Sequence, residues 1–526
     1  MTFTTVRRGT LLIGLVAAVQ APVRAAAQEA VDRAAIDRLK EEGFGRSQVM
    51  DLMSWLTDVH GPRLTGSPIT KAAGDWAIDV MKRWGLQNVD YEWWGPFGRG
   101  WVNERFGAQV TAPVPFPVIG YPNAWSESTK GRVKGGFVIV DLAFFNHADT
   151  LAAYRGKLKG QFLLARPEPT VTAQFAPPAR RFSQEELDRM AAAPAPTPGQ
   201  GGFRRPQPPP PADPTKAVSP AQLQQFLFEE GVLAVISPGR GSGGTVFPAG
   251  GGSRAADAPR TVPAVSLSAE HYGRIYRMVT KGVTVQMELE VVNRFNTDDL
   301  KSFNIVGEIP GTDRADEVVM LGAHFDSWHT GTGATDNAAG SAVMMEAMRI
   351  LKASGLPMRR TIRIGLWTGE EQGLLGARAY VKAHFGDGQA GTTTPEHAKI
   401  SGYYNLDNGT GAIRGVYLQG NEAIRPVFAE WMKALDSDSI TVRHTTLANT
   451  GGTDHLAFDA LRIPGFQFIQ DPIEYDTRTH HSNMDVYERI LPADLRHNAV
   501  VVAAFVYLTA NRPDLLPRKS PPPATP

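Results

Sequence analysis

The sequence predicts an α/β protein, with a three-layer αβα fold whose mostly parallel, mixed sheet is interrupted by an inserted β-rich domain. Strand-like and helix-like segments alternate from about residue 296 onward, which is typical of a parallel sheet covered by helices. Residues 121–292 instead contain short β-type segments separated by Gly and Pro turns. The 526 residues are too many for one ordinary core, so we expect at least two domains.

The composition excludes several kinds of partner and site. Lys and Arg total 54 and Asp and Glu total 53, and a net charge of +1 argues against nucleic acid or an acidic membrane as the main partner. The chain has no cysteine, so disulfides and thiolate metal ligands are excluded. A zinc site would have to use His and carboxylate ligands, which suit catalytic zinc better than structural zinc.

Residues 1–27 are typical of an export signal. Arg7 and Arg8 are followed by a short apolar run at residues 10–21. Small residues then offer a cleavage site before Gln28. The apolar run is shorter than the roughly 18 residues that a membrane span needs. We therefore expect a periplasmic or secreted protein with no membrane span after signal removal, and an uncleaved anchor is the alternative.

Residues 28–120 are predicted to form the first part of the αβα domain. Charges interleave with apolar residues from residue 29 to about residue 53, which predicts a helix. A second amphipathic helix is predicted over about residues 70–84, and Gly85 follows it as a natural C-cap. Strand-like material then leads to a Pro-broken stretch that ends at Gly120, where we place a domain boundary.

The β-rich block at residues 121–292 contains a segment of different composition. Residues 167–220 are rich in Pro and Ala, with four consecutive prolines at 208–211. Such a segment cannot bury enough apolar surface to offset its ordering entropy, so we predict a mobile insertion. The polyproline run is interpreted as an extended spacer, and a ligand for an SH3-type domain is the alternative.

Residues 293–512 are predicted to complete the αβα domain. The predicted strands are EVVMLGAH, TIRIGLW, SGYYNLD and GFQFIQD, and the predicted helices lie near residues 337–352, 372–383, 422–435 and 493–509. Residues 513–526 are Pro-rich and are predicted to form a disordered tail. Polar residues follow several of these strands, and strand ends are where open α/β sheets place their chemistry.

His324 and Asp326 close the strand EVVMLGAH and its continuation. Residues two apart in an extended chain face the same way, so Asp326 can hold one ring nitrogen of His324 while the other nitrogen binds a metal. A His–Asp hydrogen bond at a sheet edge is the alternative. Asp336 follows at the predicted start of a helix, either as an N-cap or as a carboxylate that bridges two cations.

Glu370 and Glu371 come directly after the strand TIRIGLW. Adjacent carboxylates repel each other unless a cation or a proton intervenes, and neighbours in an extended chain point to opposite sides. One glutamate can therefore bind a metal while the other reaches towards a metal-activated water. The alternative is that both glutamates cap the first turn of the next helix.

Asp407 ends another strand, and His481 lies with its neighbour His480 in a loop before the final helix. Two His and three carboxylates can give each of two zinc ions one His, one terminal carboxylate and a share of a bridging carboxylate. The sequence therefore predicts two zinc ions per chain as the cofactor. Glu370 would then act as the general base.

With these residues in place, the chain resembles the co-catalytic zinc peptidases that include bacterial leucyl aminopeptidases and glutamate carboxypeptidases, in particular the plasma glutamate carboxypeptidase (carboxypeptidase Q) branch. The resemblance runs from about residue 60 to residue 509 and is carried by the motifs GAHFDSWHTGTGATDNAAGSA, LWTGEEQGLLGARAY, YYNLD and HHSNMD. It implies a zinc-exopeptidase fold whose two peptidase parts, residues 28–120 and 293–512, flank a protease-associated domain at residues 121–292.

The resemblance also implies a ligand set for the two zinc ions. One ion would be held by His324, Asp336 and Asp407. The other would be held by Asp336, Glu371 and His481. The spacing of the run HHSNMD matches the family at its second His, which selects His481 over the preceding residue.

Further roles follow from the same resemblance. Glu370 resembles the general base, and Asp326 resembles the residue that orients the first His ligand. Asp454 and His455, in TGGTDHLAF, resemble a loop that lines the substrate site, and a helix N-cap followed by a surface His is the alternative. Arg63 is a candidate partner for a substrate carboxylate, and a structural salt bridge is the alternative.

These observations predict an exported zinc-dependent exopeptidase that hydrolyses terminal peptide bonds of dipeptides or short peptides. The carboxypeptidase Q branch implies peptide substrates with a free carboxylate, and a homodimer. Aminopeptidase specificity is the alternative. Two other classes resemble this scaffold, namely a single-zinc acyltransferase like glutaminyl cyclase and a non-catalytic binding protein like the transferrin receptor. The complete ligand set argues against both.

Overall fold

The structure, a computed structural model, describes residues 1, 29, 31–142, 145, 147–194, 217–248 and 250–519. The predicted export signal lies outside the described residues except for Met1. The described residues from Val31 onward form one unit. Within the described part of the chain, no helix combines the length and the apolar character needed to cross a membrane.

The strands and helices lie close to where the sequence predicts them. In chain order the strands are β1 (Gln87–Trp94), β2 (Gly100–Ala112), β3 (Phe116–Pro117), β4 (Gly120–Pro122), β5 (Val133–Ile139), β6 (Gln161–Leu164), β7 (Ala234–Pro238), β8 (Ala264–Leu267), β9 (Gln286–Asn296), β10 (Ser302–Ile309), β11 (Arg314–His324), β12 (Arg360–Trp367), β13 (Gly386–Asp387), β14 (Thr392–Thr393), β15 (Ile400–Asn405), β16 (Ile413–Tyr417), β17 (His444–Thr446) and β18 (Gly465–Gln470). The α-helices are α1 (Arg33–Gly45), α2 (Val49–Ser54), α3 (Pro68–Arg83), α4 (Ala148–Tyr154), α5 (Gln184–Ala191), α6 (Pro220–Glu229), α7 (Ala269–Thr280), α8 (Ala339–Ser354), α9 (Leu375–His384), α10 (Arg425–Leu435), α11 (His455–Asp459) and α12 (Pro492–Asn511).

The main sheet consists of eight of the described strands in the order β1-β10-β12-β11-β15-β18-β16-β17. The four central strands, β12, β11, β15 and β18, are parallel to their neighbours within this group. The pairs β10–β12 and β16–β18 are antiparallel, which makes the sheet mixed. The predicted fold class is therefore confirmed.

Helices cover both faces of the main sheet, because alternate residues of its strands enter different cores. Val319 and Leu321 of β11 pack with α8 and α12, whereas Met320 packs with α9 and α11. Both cores are built from residues that are almost fully buried. This alternation produces the three layers and holds the central strands rigidly between helices.

A second sheet consists of eight of the described strands in the order β3-β2-β9-β5-β6-β7-β8-β4. The long antiparallel pair β2–β9 belongs to it, so the sheet includes strands that precede the boundary we placed at Gly120. Residues 121–292 also contain the helices α4, α6 and α7, whereas the sequence analysis identified mainly short β-type segments there. That residues 121–292 form a protease-associated domain stays a prediction.

Two segments that the sequence predicts to be mobile or disordered contain packed residues. Within the predicted mobile segment at 167–220, residues 178–191 contact the αβα domain and include α5, whereas residues 195–216 lie outside the described residues. In the predicted disordered tail, Leu516 is buried, and Arg518 donates to the carbonyl of Ile400. The tail is packed as far as residue 519 despite its Pro-rich composition, because the Leu516 side chain is buried and Arg518 is hydrogen-bonded to the folded domain.

Candidate metal centre

The candidate site lies at the carboxyl ends of three neighbouring parallel strands, β12, β11 and β15. His324 is the last residue of β11 and pairs with Trp367, the last residue of β12. Glu370 lies three residues after the end of β12, and Asp407 lies two residues after the end of β15. Because the strands are parallel and in register, their polar ends meet at one edge of the sheet.

The first half of the site joins three predicted ligands. His324 Nε2 lies 3.2 Å from Asp336 Oδ1 and 3.2 Å from Asp407 Oδ1. Asp336 comes from the turn before α8, and that helix approaches the sheet closely at Gly340. A Cβ atom at Gly340 would lie 2.2 Å from the Leu406 carbonyl oxygen. Glycine is therefore needed to bring Asp336 to the strand ends.

The second half of the site joins Asp336 to two further predicted ligands. His481 Nε2 lies 3.2 Å from Asp336 Oδ2 and 2.8 Å from Glu371 Oε2. His480 also reaches this region, but its Nε2 is 3.8 Å from Asp336 Oδ2 and its ring stacks on Tyr475. Asp336 thus presents one oxygen to His324 and the other to His481, the arrangement expected of a bridging carboxylate.

The residues present fit a pair of divalent cations. Asp336 Oδ2 and Glu371 Oε1 are buried, and neither has a hydrogen-bond partner among the described residues. A buried carboxylate oxygen without a partner is costly, unless a cation binds to it. Two imidazoles and three carboxylates are the donor set that zinc accepts when no thiolate is offered. His324, Asp336 and Asp407 also lie close enough together to share one ion.

The electrostatics of the site also favour bound cations. Burial and the carboxylate of Asp336 raise the pKa of Glu371 well above its ordinary value, and burial with Asp407 and Asp454 does the same for the pKa of Glu370. Burial opposes the charging of His324, but nearby carboxylates, with Asp407 first, outweigh it and raise the His324 pKa. The site therefore holds more negative charge than its own histidines can neutralise.

Asp326 holds His324, but not in the predicted way. His324 Nδ1 lies 2.9 Å from the backbone oxygen of Asp326 and 3.6 Å from its carboxylate. The carboxylate instead accepts hydrogen bonds from the Thr65 hydroxyl and the Glu370 backbone N–H. The reason is that β11 ends at His324, so the strand alternation that would place both side chains on one face does not continue to Asp326.

The prediction that Arg63 contacts substrate is wrong. Its side chain is fully buried, and its guanidinium donates hydrogen bonds of 2.6–3.0 Å to backbone carbonyls of Leu56, Phe325, Thr332 and Gly333. Burial lowers the pKa of Arg63 to about 10, while nearby carboxylates, with Asp485 first, raise it. Arg63 therefore fastens the loop after β11, and its guanidinium is already engaged by these backbone carbonyls.

The two residues predicted from TGGTDHLAF differ in their surroundings. Asp454 is buried, both of its carboxylate oxygens lack a hydrogen-bond partner among the described residues, and burial with the charge of Asp407 raises its pKa well above the ordinary value. His455 is also fully buried, but its Nε2 contacts the Gln419 amide and the Thr450 carbonyl. Asp454 therefore lies close enough to Asp407 for their charges to interact, whereas the ring of His455 is held by structural hydrogen bonds.

Asp485 was not assigned a role from the sequence, and the structure places it against the turn that carries Asp336. The Asp485 carboxylate accepts hydrogen bonds from the backbone N–H groups of Thr335 at 2.6 Å and Asp336 at 3.1 Å. It therefore fixes the turn that carries the bridging carboxylate. The signal was present in the sequence, because Asp485 ends the motif HHSNMD.

Replacement of Arg63 tests the structural role given to it here. We expect Arg63→Met to lower the free energy of unfolding by about 3–5 kcal/mol, because it leaves the backbone carbonyls of Leu56, Phe325, Thr332 and Gly333 without their donor. Urea unfolding measures this loss, with Arg105→Met as the control because the Arg105 side chain is 67% exposed. A stable Arg63→Met protein that selectively lost activity on peptides with a free carboxylate would restore the predicted substrate role.

Comparisons with known proteins place the site within a matched family profile. The profile of Peptidase family M28 matches residues 304–506. Human carboxypeptidase Q is 31% identical over 260 residues, which are 49% of this chain and 52% of that protein, so the match spans about half the length of the curated relative. Leupeptin-inactivating enzyme 1 of Streptomyces exfoliatus is 29% identical over 171 residues, 32% of this chain and 36% of that protein.

Solved structures match over most of the chain. A peptidase M28 precursor from Shewanella amazonensis has a TM-score of 0.64 at 25% identity and covers 93% of this chain and 99% of its own. A zinc aminopeptidase from Bacillus subtilis shares the fold, with a TM-score of 0.51 at 19% identity over 87% of this chain and 93% of its own. Residues 304–506 thus match the profile of Peptidase family M28, and about half of the chain is similar to carboxypeptidase Q.

Proposed function

We propose that this protein is a zinc-dependent exopeptidase that removes terminal residues from dipeptides or short peptides. The observation that supports this most strongly is the position of Asp336, whose two carboxylate oxygens each face a different histidine, His324 and His481, beside Glu370. Two zinc ions bound there would polarise the scissile carbonyl and lower the pKa of a water molecule, so that it can attack near neutral pH.

The residues of the chain have distinct tasks in this reaction. His324 and Asp407 would hold one zinc ion, Glu371 and His481 the other, and Asp336 would hold both. Glu370, whose backbone is fixed by Asp326, would accept a proton from the attacking water and pass it to the nitrogen of the leaving amine.

The aminopeptidase alternative is favoured by a specific observation. Arg63 is the predicted partner of a substrate carboxylate, but its guanidinium donates its hydrogen bonds to backbone carbonyls. Asp454 instead offers a buried carboxylate without a hydrogen-bond partner among the described residues, and such a group suits a substrate ammonium. We therefore propose that a free amine, rather than a free carboxylate, is the terminus that the site recognises.

A metal analysis coupled to a peptide screen tests the proposed function. Elemental analysis is expected to give two zinc ions per chain, and a dipeptide panel is assayed with and without a chelator. Peptides with an amidated C-terminus are expected to be cleaved and N-acetylated peptides to be resistant. The reverse pattern would support carboxypeptidase specificity. One zinc ion with cyclase activity, or bound zinc with no turnover, would support the acyltransferase or the non-catalytic binding protein.

Zinc is expected to stabilise the protein more as the pH rises from 5 to 8. Glu370, Glu371 and Asp454 have raised pKa values in the cation-free site, burial being the first cause of each. A carboxyl with a raised folded-state pKa stays protonated where the unfolded chain is ionised, so stability falls as the pH rises above about 4.5. Bound zinc removes this penalty by neutralising the carboxylates.

Thermal unfolding with and without zinc across this pH range measures the effect. The zinc-free protein should lose stability with rising pH, and its slope should be shallower in Asp454→Asn because one raised carboxyl is gone. A zinc-induced shift of the melting temperature that is constant, or that decreases towards pH 8, would contradict the proposed excess of buried negative charge.

We also propose that the protein is exported and periplasmic or secreted, because residues 1–27 have the composition of an export signal. N-terminal sequencing of the protein from culture medium and periplasm would test this, with a start near Gln28 as the expected result. A homodimer, which the carboxypeptidase Q resemblance implies, is tested by measuring the mass of the native protein in solution.

A further inference from the structure

A short strap formed by residues 178–182, from the predicted mobile segment, is bound to the loop that precedes His481. The backbone N–H of Arg180 donates to the Ile473 carbonyl at 3.1 Å, and the Ile473 N–H donates back to the Arg180 carbonyl at 2.9 Å. These two bonds form an isolated antiparallel bridge. Further along, the Thr477 hydroxyl donates to the Pro178 carbonyl at 2.7 Å.

Arg181 anchors the strap both to the residue just before this loop and to the helix that follows it, α12. Its guanidinium donates to Asp471 at 2.8 Å, just before the loop, and in a bidentate manner to Asp494 at 2.7 and 3.1 Å, in the first turn of α12. Both carboxylates are buried. Bidentate Arg–carboxylate pairs fix geometry more tightly than a point charge can, so the strap has a defined position.

The loop held by the strap leads directly to the candidate metal centre. Residues 475–479 form one helical turn, and His480 and His481 follow it. The Thr335 hydroxyl donates to the Thr479 hydroxyl oxygen at 2.8 Å, and Thr335 is the neighbour of Asp336. A displacement of this loop would therefore move the His481 ligand first and would also disturb the turn that carries Asp336.

The backbone of the loop needs external support. Ile473 has a φ of 44° and His481 has a φ of 61°, both in the left-handed region. A β-branched residue is strongly disfavoured there and persists only where its surroundings determine its conformation. At Ile473 those surroundings include both hydrogen bonds of the strap, so the strap stabilises a conformation that the loop would not hold alone.

We propose that residues 178–182 act as a positioning strap for the zinc ligand His481, with Arg181 as the positioning residue that fixes the strap. This inference rests on the zinc-binding role proposed above for His481. Among the described residues, the strap is hydrogen-bonded to Ile473, Thr477, Asp471 and Asp494. It acts by holding the loop in the conformation that directs His481 towards Glu371 and Asp336.

Zinc titration of the metal-free full chain tests this proposal without a substrate. Competition with a chelator should resolve two binding steps, and His481→Gln and Asp407→Asn identify which step belongs to which half of the site. Arg181→Met keeps the aliphatic stem and removes the guanidinium. We expect it to weaken the step that His481→Gln weakens by about 10–100-fold, as is usual for partners that orient ligands, and the other step much less.

Two further variants make the test decisive. Arg189→Met on α5 is the matched control, because the Arg189 side chain is 63% exposed and pairs only with Glu185 among its ion-pair partners in the described chain; its zinc binding should equal wild type. Thr477→Val removes one strap contact at an exposed position and should weaken the same step to a smaller degree. It decides the question if Arg181→Met does not fold.

Opposite results have distinct meanings. Wild-type zinc affinity in both strap variants, or an equal loss at both steps together with a lower melting temperature, would overturn the strap proposal. An inactive wild-type protein with two normal zinc steps would refute the proposed peptidase function and leave the strap intact. In active protein, we expect Arg181→Met to lower kcat at limiting zinc and to recover in excess zinc, which a purely structural defect would not do.

Discussion

Glu370→Gln is expected to keep both zinc ions and to lose at least the roughly 10²–10⁴-fold in kcat that general acid–base catalysis supplies. Glutamine preserves the size of the side chain and cannot accept the proton of the attacking water. The ligand atoms stay in place, because Glu370 is held through its backbone N–H by Asp326 rather than through its carboxylate. Elemental analysis and steady-state kinetics on the same preparation measure both quantities.

Its neighbour provides the matched control for this prediction. Glu371→Gln makes the same chemical change one residue later, at a carboxylate that lies 2.8 Å from His481. This variant should lose zinc from the His481 half of the site, and its activity should fall with its metal content. If Glu370→Gln lost zinc while Glu371→Gln retained it, the roles of ligand and base would be reversed.

Asp336→Asn is expected to weaken both zinc ions together. The amide of asparagine cannot give a charged oxygen to each of two cations. The substitution would also remove one of the negative charges that balance the charge of the two zinc ions. The loss of affinity should exceed the roughly 10–100-fold that is typical for partners that only orient ligands. Zinc titration of the metal-free protein should show both binding steps weakened, with little activity remaining at micromolar zinc.

The control for Asp336→Asn is Asp316→Asn, which makes the same change at a side chain that is 70% exposed. It should leave zinc content and activity unchanged. A fully metallated and active Asp336→Asn protein would show that this carboxylate does not bridge two ions. Loss of one ion alone would make Asp336 a terminal ligand.

The position of the candidate site could be predicted from the sequence because parallel strands impose it. Once EVVMLGAH, TIRIGLW and SGYYNLD are identified as strands of one parallel sheet, the polar residues that follow them must meet at one edge. The structure brings together His324, Glu371 and Asp407 in this way. The order of the strands and the antiparallel edges depend on long-range packing, and the sequence alone did not predict them.

Most of the errors concern residues whose neighbours are distant in the chain. The sequence around Arg63 is typical of a surface loop. The partners of Arg63 include carbonyls more than 260 positions away in the chain, and no local sequence pattern reveals such contacts. The prediction that the Asp326 carboxylate holds His324 failed for a local reason, because β11 ends two residues before Asp326. The packed parts of the 167–220 segment and of the tail are also fixed by distant partners, such as Asp471 and Ile400.

The most direct test of the proposed metal centre is the anomalous diffraction of a crystal of the zinc-loaded protein, measured on both sides of the zinc absorption edge. We expect two peaks about 3.5–4 Å apart, one beside His324 and Asp407, the other beside Glu371 and His481, with one oxygen of Asp336 on each. A single peak, or zinc bound only away from these five side chains, would contradict the two-zinc site on which the proposed function depends.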